Sequence, residues 1–320
     1  MLAVPADIPI FIRTETKFIM LKKLKVTLVI ISILTFSALA ATFAHLGGAF
    51  SPASAPPAPP KAVNDEPADN ENLSPSLENV QTILTGEHYI YPQWSGKGDK
   101  MLFSKEGNTG LYYADIQSPG KITALNAIKG TGFGAAWSGD DSEVYYFQKD
   151  EQFKIHVKSV SLKDGNITNH PGIHFSSIQS HILSKGEGPI LTLDVKSLNI
   201  YAGSSTSKEY LVTTEPGKYY NHILSPDHTK VLVHSGAEMM IFHADGSGLY
   251  SKLGIGIGTS WSPDSKYVLG YLDESIDGHH VSNSELYLHT ADGSKFYQLT
   301  ETPGIMEMWP SWHPSENRIL

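Results

Sequence analysis

Trp261-Ser262-Pro263-Asp264 decides the fold of this 320-residue chain, because related phrases recur along it about every forty residues. Measured at the Trp or Leu position, successive copies are 43, 46, 41, 37 and 51 residues apart. That period suits four short strands per repeat, which is the blade of a β-propeller, and it is too long for leucine-rich or ankyrin repeats. The other copies are Trp94-Ser95-Gly96, Trp137-Ser138-Gly139-Asp140, Ile182-Leu183-Ser184, Leu224-Ser225-Pro226-Asp227 and Trp312-His313-Pro314.

Turn and strand signals follow each phrase in the same order. Pro presets φ for a type I turn and Asp bonds nearby backbone, so Asp140, Asp227 and Asp264 are predicted to shape turns. Apolar runs such as Val231-Leu232-Val233 come next, and Asp-Gly pairs that favour hairpins end the second run of most repeats. The repeat region shows no sustained helical period, so the sequence predicts an all-β fold.

This order of signals, ending in Gln298-Leu299-Thr300, resembles the repeat of TolB-type propellers, which are WD-like in their Trp-Asp signature. The resemblance covers residues 78–320 and is closest in residues 224–246 and 261–300. The third unit, His181-Ile182-Leu183-Ser184-Lys185-Gly186, has lost both Trp and Pro-Asp. Proteins with this repeat include the periplasmic Tol-Pal component and propeller domains of prolyl-oligopeptidase-like peptidases. The resemblance therefore implies a fold more firmly than a role.

The count of repeats predicts a six-bladed propeller of four-stranded antiparallel blades, with the sixth blade incomplete. Five units are complete, and the sixth reaches only Arg318-Ile319-Leu320. Residues 80–85 resemble an outer strand, and we expect them to complete the last blade and bring the two ends of the propeller together, since an open blade leaves unpaired edges. We also expect the chain to be a fragment of a longer protein.

The N-terminal region carries an export signal. Lys22, Lys23 and Lys25 precede an uncharged apolar run over residues 26–44, which contains the small-residue cleavage signal Ala38-Leu39-Ala40. Residues 1–45 are predicted to be a signal peptide or a retained signal-anchor, with Met20 as an alternative start; both readings stay open. We therefore expect an exported protein, periplasmic or extracytoplasmic, whose contact with a membrane is limited to residues 26–44.

Residues 46–77 are predicted to be a disordered, Pro-rich linker that tethers the propeller of residues 78–320, because their composition cannot bury enough apolar surface to fold. The net charge is −9 and no basic stripe follows the signal, so nucleic acid is not an expected partner. The chain has no cysteine, which excludes disulfides and thiolate chemistry. We expect a monomer.

Strand alternation places the loops before each blade, and those between its second and third strands, on one face of the propeller. These loops are long and varied, whereas the turns of the other face are short and repetitive, so the variable loops are the predicted binding site. Aromatic and histidine residues are frequent there and suggest a patch of rigid amphipathic side chains, although each could instead pack between strands. The candidates are Tyr89, Phe133, His174, Tyr220, His222, His279, His280 and Trp309.

Other motifs predict no chemistry. The glycine-rich stretch Gly254-Ile255-Gly256-Ile257-Gly258 leads into a strand and lacks the helix that a phosphate loop needs. His279 and His280 are adjacent in a loop and are not expected to converge on a metal. The sequence has no Gly-x-Ser-x-Gly nucleophile elbow. We therefore expect no catalytic residues, no metal and no cofactor.

Two functions remain open. The first is a non-enzymatic, envelope-tethered interaction module that binds a protein or a polysaccharide on the variable loops. The second is the gating propeller of a larger prolyl-oligopeptidase-like hydrolase whose catalytic domain lies outside this chain. We favour the first. A third possibility is a propeller lyase or hydrolase that uses histidines of the central channel.

Overall fold

The computed structural model describes residues 75–85, 88–184, 188–203, 208–275 and 281–320. The predicted signal of residues 1–45 and nearly all of the predicted linker lie outside this part of the chain, as do His279 and His280. The predicted domain boundaries therefore stay predictions.

Five small antiparallel sheets follow one another along the chain, and within each sheet neighbouring strands are also neighbours in sequence. Each sheet is one blade, as the repeats predict. The first two blades hold β1 (Tyr89–Trp94), β2 (Lys100–Lys105), β3 (Thr109–Asp115) and β4 (Thr123–Lys129), then β5 (Ala136–Trp137), β6 (Glu143–Lys149), β7 (Ile155–Ser161) and β8 (Ile167–Asn169). Short 3-10 helices span Glu106–Asn108 and Phe175–Ser177.

The remaining blades follow the same plan with one departure in the third. That blade consists of the helix α1 (Ile178–Ser184) and the strands β9 (Ile190–Asp194), β10 (Asn199–Gly203) and β11 (Lys208–Leu211). The fourth and fifth blades hold β12 (Tyr220–Leu224), β13 (Lys230–Ser235), β14 (Glu238–His243) and β15 (Leu249–Ile255), then β16 (Ile257–Trp261), β17 (Tyr267–Ser275), β18 (Val281–Thr290) and β19 (Phe296–Gln298).

The repeated Trp-Ser-Pro-Asp phrase forms the turn between the first two strands of a blade. In the fifth blade the N–H of Ser265 donates to the carbonyl of Ser262 at 2.9 Å, and the Ser262 hydroxyl donates to the carboxylate of Asp264 at 2.7 Å. Asp140 and Asp227 make the equivalent bonds to Ser138 and Ser225. The prediction that these aspartates shape turns is confirmed.

Apolar clusters join consecutive blades. One cluster contains Leu191 and Ile200 of the third blade with Val231 and Phe242 of the fourth, all fully buried. Another joins Leu232 of the fourth blade to Trp261 of the fifth. Burial of such faces is the main favourable contribution to stability, since each fully buried large side chain contributes roughly 1.5–3 kcal/mol.

The helix α1 corrects the prediction of strands throughout the repeat region. It stands where the third blade would have its innermost strand, in the unit that lacks Trp and Pro-Asp. Ser180 of α1 and Ser176 of the preceding 3-10 helix take over the pairing that such a strand would supply to β9. The N–H of Leu191 donates to the Ser180 hydroxyl at 2.9 Å, and the N–H of Leu193 donates to the Ser176 hydroxyl at 3.0 Å. These hydroxyls satisfy an edge that would otherwise be unpaired.

The prediction of six blades is wrong: the described residues form five. Residues 311–320 form only a short hairpin, in which Ser311 and Leu320 exchange two backbone hydrogen bonds of 2.9 Å and Trp312 bridges Ile319. Residues 80–85 are not a strand, so they do not complete a sheet. Pro310 and Pro314 flank the first arm of this hairpin and cannot donate to a ladder, which limits its length.

The hairpin nevertheless joins the fifth blade to the first. Trp312 and Ile319 pack on Leu269 and Leu288 of the fifth blade, while Leu320 packs with Leu84 and Trp94 in a cluster of the first. The predicted proximity of residues 83–84 to this hairpin is therefore confirmed, although it rests on side-chain packing and not on strand pairing.

A hydrogen bond from a repeated tryptophan occurs both between blades four and five and between blade one and the hairpin. The indole N–H of Trp261 donates to the carbonyl of Ile223, in the preceding blade, at 3.1 Å. The indole N–H of Trp94 donates in the same way to the carbonyl of Ser311, also at 3.1 Å. Blade one thus packs on the 311–320 hairpin as blade five packs on blade four.

Within the described ranges, no helix is both long enough and apolar enough to cross a bilayer.

Candidate functional site

The strand order confirms how the loops divide between two faces. The variable face carries the connections into each blade and the loops between second and third strands. The turn face carries the Trp-Ser-Pro-Asp and Asp-Gly turns. Since neighbouring strands are antiparallel, these two sets of loops lie at opposite ends of every sheet.

A distorted backbone position recurs where the chain enters a blade from the variable face. Three residues before the repeated Trp or Leu, four connections place a residue at positive φ: Tyr91 at 54°, Gly134 at 68°, Asn221 at 50° and Trp309 at 55°. In blades one and four this position interrupts the pairing of the first two strands, as a β-bulge does. Glycine and asparagine tolerate this conformation, whereas Tyr and Trp adopt it at a cost.

Tyr91 and Trp309, the two residues strained by positive φ, contact each other. The rings of Tyr91 and Trp309 lie 5.0 Å apart, tilted by 56°. The side chain of Trp309 also lies close enough to the hydroxyl of Tyr271, a buried residue of β17, to influence its pKa. Burial raises the pKa of Tyr271 far above its ordinary value, with a smaller contribution from the charge of Asp273.

From this pair a continuous series of rings runs along the variable face. Phe133 lies 6.0 Å from Tyr91 and 6.2 Å from Phe147, and Phe175 follows at 5.6 Å from Phe147. His174 ends the series, 4.5 Å from Phe175. We call this series the aromatic arc; its members are Trp309, Tyr91, Phe133, Phe147, Phe175 and His174. It runs from the segment that follows the fifth blade, past the first and second blades, to the 3-10 helix that precedes the third.

The arc contains three of the candidates predicted from the sequence: Phe133, His174 and Trp309. Phe133 is 41% exposed, so its ring is open to a partner. Tyr89 lies apart from the arc, because its ring packs edge-on against Phe103, 4.9 Å away, in the core of blade one.

His174 serves two roles at the end of the arc. Its ring nitrogen Nδ1 accepts from the N–H of Ser176 at 3.3 Å, which caps the 3-10 helix Phe175–Ser177. Burial lowers the pKa of His174, with a further lowering from the nearby charge of Lys208. The imidazole is therefore a neutral, stacking ring near pH 7.

Tyr220 and His222 lie on β12, beyond the end of the arc. The Tyr220 hydroxyl donates to the carbonyl of Gly236, and its ring stacks on His234 at 5.7 Å. Burial lowers the pKa of His222 to about 4, and this ring interacts with the backbone of Ser176 and Leu191. His222 thus joins the third blade to the fourth, and Tyr220, which is 41% exposed, is the more accessible of the two.

Two carboxylic acids fix the segment that carries Trp309. Glu307 and Glu285 are buried, and Glu307 contacts the hydroxyls of Thr300 and Thr302. Burial, together with the charge of Glu285, raises the pKa of Glu307 to about 7. The backbone of Glu307 also pairs with Ser284, whose hydroxyl donates to the Glu307 carbonyl at 2.5 Å. These contacts hold residues 300–307 against β18.

The sequence did not reveal an open groove at the far end of the arc. Phe153 stands at the tip of the β6–β7 loop at φ 61° and is 82% exposed. Asp150 holds this loop rigid, because its carboxylate accepts from the N–H groups of Gln152 and Lys154. The only sequence feature that could have indicated this groove was a single phenylalanine, Phe153, within a charged loop. The groove encloses about 580 Å³ and is lined by Phe153, Ile155, Val157, Pro171, Ile173, His174 and Phe175.

The expected absence of catalytic and metal sites remains an expectation. Across the described ranges, no three His, Asp or Glu side chains are grouped so that they could hold a metal ion. The glycine-rich residues 254–258 connect β15 to β16, so they lead from strand to strand as predicted.

Comparisons with known proteins support the fold. No protein-family model and no curated protein matches the sequence. Among solved structures, TolB from Acinetobacter baumannii is similar with a TM-score of 0.55 and 17% sequence identity, over 73% of this chain and 59% of that one. A putative TolB from Agrobacterium tumefaciens is similar with a TM-score of 0.53 and 17% identity, over 73% of this chain and 89% of that one.

The aligned region spans less than two thirds of the Acinetobacter protein, and the identity is low, so the likeness concerns architecture. Both neighbours are named TolB, the family whose repeat the sequence resembles. The chain therefore has a TolB-like β-propeller fold, as its Trp-Ser-Pro-Asp repeats predict.

Proposed function

We propose that this protein is an exported β-propeller interaction module, without catalytic activity of its own, that binds a protein partner through the aromatic arc. The observation that carries the proposal is the arc itself: six rings in a continuous series along the variable face, two of them held at positive φ. Aromatic side chains offer large contact areas at low entropic cost and are enriched in protein interfaces. Strained backbone positions concentrate at functional sites, which adds support.

The serine–histidine contacts of the described residues favour binding over catalysis. Ser159 contacts the ring of His170 at 2.8 Å but is fully buried, so its hydroxyl is inaccessible to a substrate. Ser176 contacts His174 at 2.7 Å, and there the histidine serves as a helix cap. Neither pair has the arrangement of an activated nucleophile.

Export is supported by the basic and apolar pattern of residues 22–44. The likeness in fold to two TolB proteins is consistent with this location. Mass spectrometry of the N-terminus of the native protein would test it: a mature start after Ala40 indicates cleavage, whereas a start at Met1 or Met20 indicates a retained segment.

The binding proposal is tested with a pair of matched double variants in a quantitative pull-down from native extract. Tyr220→Ala with Trp309→Ala removes two rings from the variable face. Tyr250→Ala with Phe296→Ala removes two rings, 39% and 41% exposed, from outer strands near the turn face. We expect the first pair to lose at least about tenfold in partner recovery, and the second pair to keep it.

Equal recovery by both double variants would contradict the proposal. Treating the captured material with protease or with glycosidase identifies its chemical class. Capture that survives protease but not glycosidase would show a polysaccharide and would contradict a protein partner.

A further inference from the structure

The aromatic arc meets a strongly acidic region at Trp309. Neither residues 267–294 nor residues 296–317 contain a lysine or an arginine. On the variable face this region presents Asp273 and Glu274, both exposed at the end of β17, and the exposed Glu301. Within the described part of the chain, Asp273 and Glu274 form no ion pair. A partner that binds beside Trp309 therefore meets negative charge.

Aromatic rings and a carboxylate converge at one point of this region. Tyr91 and Trp309 present tilted ring planes 5.0 Å apart, and the Tyr271 hydroxyl is close to both side chains. Asp273 lies two residues after Tyr271 on the same strand, so both side chains lie on one side of the sheet. Asp273 is the nearer of the two to the variable face, and its charge acts on the Tyr271 hydroxyl.

Ring faces carry negative potential, and a cation placed over them is attracted. A nearby carboxylate adds to this attraction and gives the ammonium or guanidinium group a hydrogen-bond acceptor. Tilted rings beside an exposed acid thus favour a cationic side chain over a neutral one. The positive φ of Tyr91 and Trp309 holds the two rings in this arrangement before the partner arrives.

We propose that Tyr91 and Trp309, supported from below by the buried Tyr271 and with Asp273 at their edge, bind a lysine or arginine side chain of an extended segment of the partner protein. This inference rests on the proposed function, because it names the partner's chemistry at one end of the aromatic arc. The remaining arc, towards Phe133 and Phe175, then contacts the rest of the partner.

The test uses the full chain labelled with 5-fluorotryptophan and followed by fluorine NMR. The chain has five tryptophans, and Trp309→Phe assigns the signal of Trp309. The probes are the peptides acetyl-Gly-Gly-X-Gly-Gly-amide, with X as lysine, arginine or norleucine. Norleucine keeps the aliphatic chain of lysine and lacks its charge.

We expect the lysine and arginine peptides to shift the Trp309 signal in a saturable manner, and the norleucine peptide to bind at least about fivefold more weakly. Asp273→Asn should weaken lysine binding about two- to fivefold, since it removes one partly exposed charge contact. The matched control is Asp115→Asn, an exposed acid at the end of β3 near the turn face, which should leave binding unchanged.

Equal binding of norleucine and lysine peptides would overturn the inference, as would an equal effect of Asp273→Asn and Asp115→Asn. Shifts of the other tryptophans without a shift of Trp309 would also overturn it. If the peptides fail this test while Tyr220→Ala with Trp309→Ala still abolishes partner recovery, the proposed function stands and only the cationic side chain is wrong. If both tests fail, the variable face is not the binding site.

Discussion

At the scale of single residues, one turn position with positive φ recurs in four repeats. Four residues after the repeated Trp or Leu, Gly98, Asp141, His228 and Ser265 all have φ between 60° and 70°. Three of these residues also bond the preceding repeat. Asp141 accepts from the N–H groups of Gly96 and Lys97, Ser265 accepts from the N–H of Asp227, and His228 contacts the carbonyl of Leu183. The residue at this position thus adopts the φ that the turn requires and, in three repeats, also bonds the preceding repeat.

Gly98 is the member of this set that tolerates no side chain. A Cβ there would lie 1.7 Å from the Nε2 atom of His313, a buried residue of the 311–320 hairpin. Gly98→Ala should lower the free energy of unfolding by more than about 2 kcal/mol, because positive φ and a steric clash add. Chemical denaturation measures this change.

The control is Gly165→Ala, which has φ 72° and no atom within 4 Å of the added Cβ. It should cost only about 1 kcal/mol, from the backbone conformation alone. Equal losses in the two variants would show that the 311–320 hairpin does not pack against Gly98.

The sequence predicts the conformation of some of these residues and not of others. Pro-Asp and Gly-Asp predict the turns because their preferences are local. The positive φ of Tyr91 and Trp309 could not be predicted, since neither residue favours that conformation and the packing of neighbouring blades imposes it. Tyr89 was predicted for the binding face, but its ring packs on Phe103. The irregularity in pairing between Ile90 and Gln93 separates it from Tyr91. A neighbouring position in the same strand, Tyr91, belongs to the arc instead.

At the scale of elements, α1 shows how a propeller blade can do without its innermost strand. The loss of Trp and Pro-Asp in the third unit was visible in the sequence, and it was the correct place to expect an irregular blade. The helix itself was not predictable, because seven residues give too short a window for helical periodicity. Ser180 of this helix and Ser176 of the 3-10 helix before it replace the missing strand by bonding β9 directly.

This replacement predicts a specific cost. Ser180→Ala leaves the buried N–H of Leu191 without its acceptor and should lower the free energy of unfolding by about 1–3 kcal/mol. Gln179→Ala, at an exposed position of the same helix, should change it by less than about 0.5 kcal/mol. Denaturation curves of the two variants make the comparison. If Ser180→Ala is as mild as Gln179→Ala, the serine does not replace a strand contact.

At the scale of the whole molecule, the junction of the 311–320 hairpin with blade one deserves a direct test. Trp94→Phe keeps an aromatic ring and removes the hydrogen bond to Ser311. We expect hydrogen exchange at the Ser311 and Leu320 amides to rise about five- to tenfold, since one bond of about 1 kcal/mol is lost. Trp261→Phe removes the equivalent bond to Ile223 and should leave these two amides unchanged. Equal exchange in both variants would contradict the junction.

Stability should also fall in acid. Burial lowers the pKa values of His222, His234 and His289 to about 4, whereas an exposed histidine titrates near 6.5. Between these values the unfolded chain binds more protons, so stability is complete above about pH 7 and is lost as pH falls from 6.5 towards 4. Each histidine contributes at most about 1.4 kcal/mol per pH unit.

Glu307 opposes this trend. Its pKa is raised to about 7, so the stability that it contributes is present below about pH 4.5 and is lost as pH rises through 7. The three histidines outnumber it, so a net loss remains. Urea denaturation at pH 5 and at pH 7.5 measures the difference. A free energy of unfolding that does not fall between pH 7.5 and pH 5 would contradict the burial of these imidazoles.

The measurement that tests the binding role of the aromatic arc most directly is site-specific photo-crosslinking at two phenylalanines of equal exposure. Phe133 lies in the arc and Phe296 lies on an outer strand near the turn face, and both are 41% exposed. Each is replaced in turn by p-benzoylphenylalanine, and the protein is irradiated in native extract. We predict a discrete crosslinked protein from position 133 and none from position 296. The same crosslinked protein from both positions, or one from position 296 alone, would contradict the account.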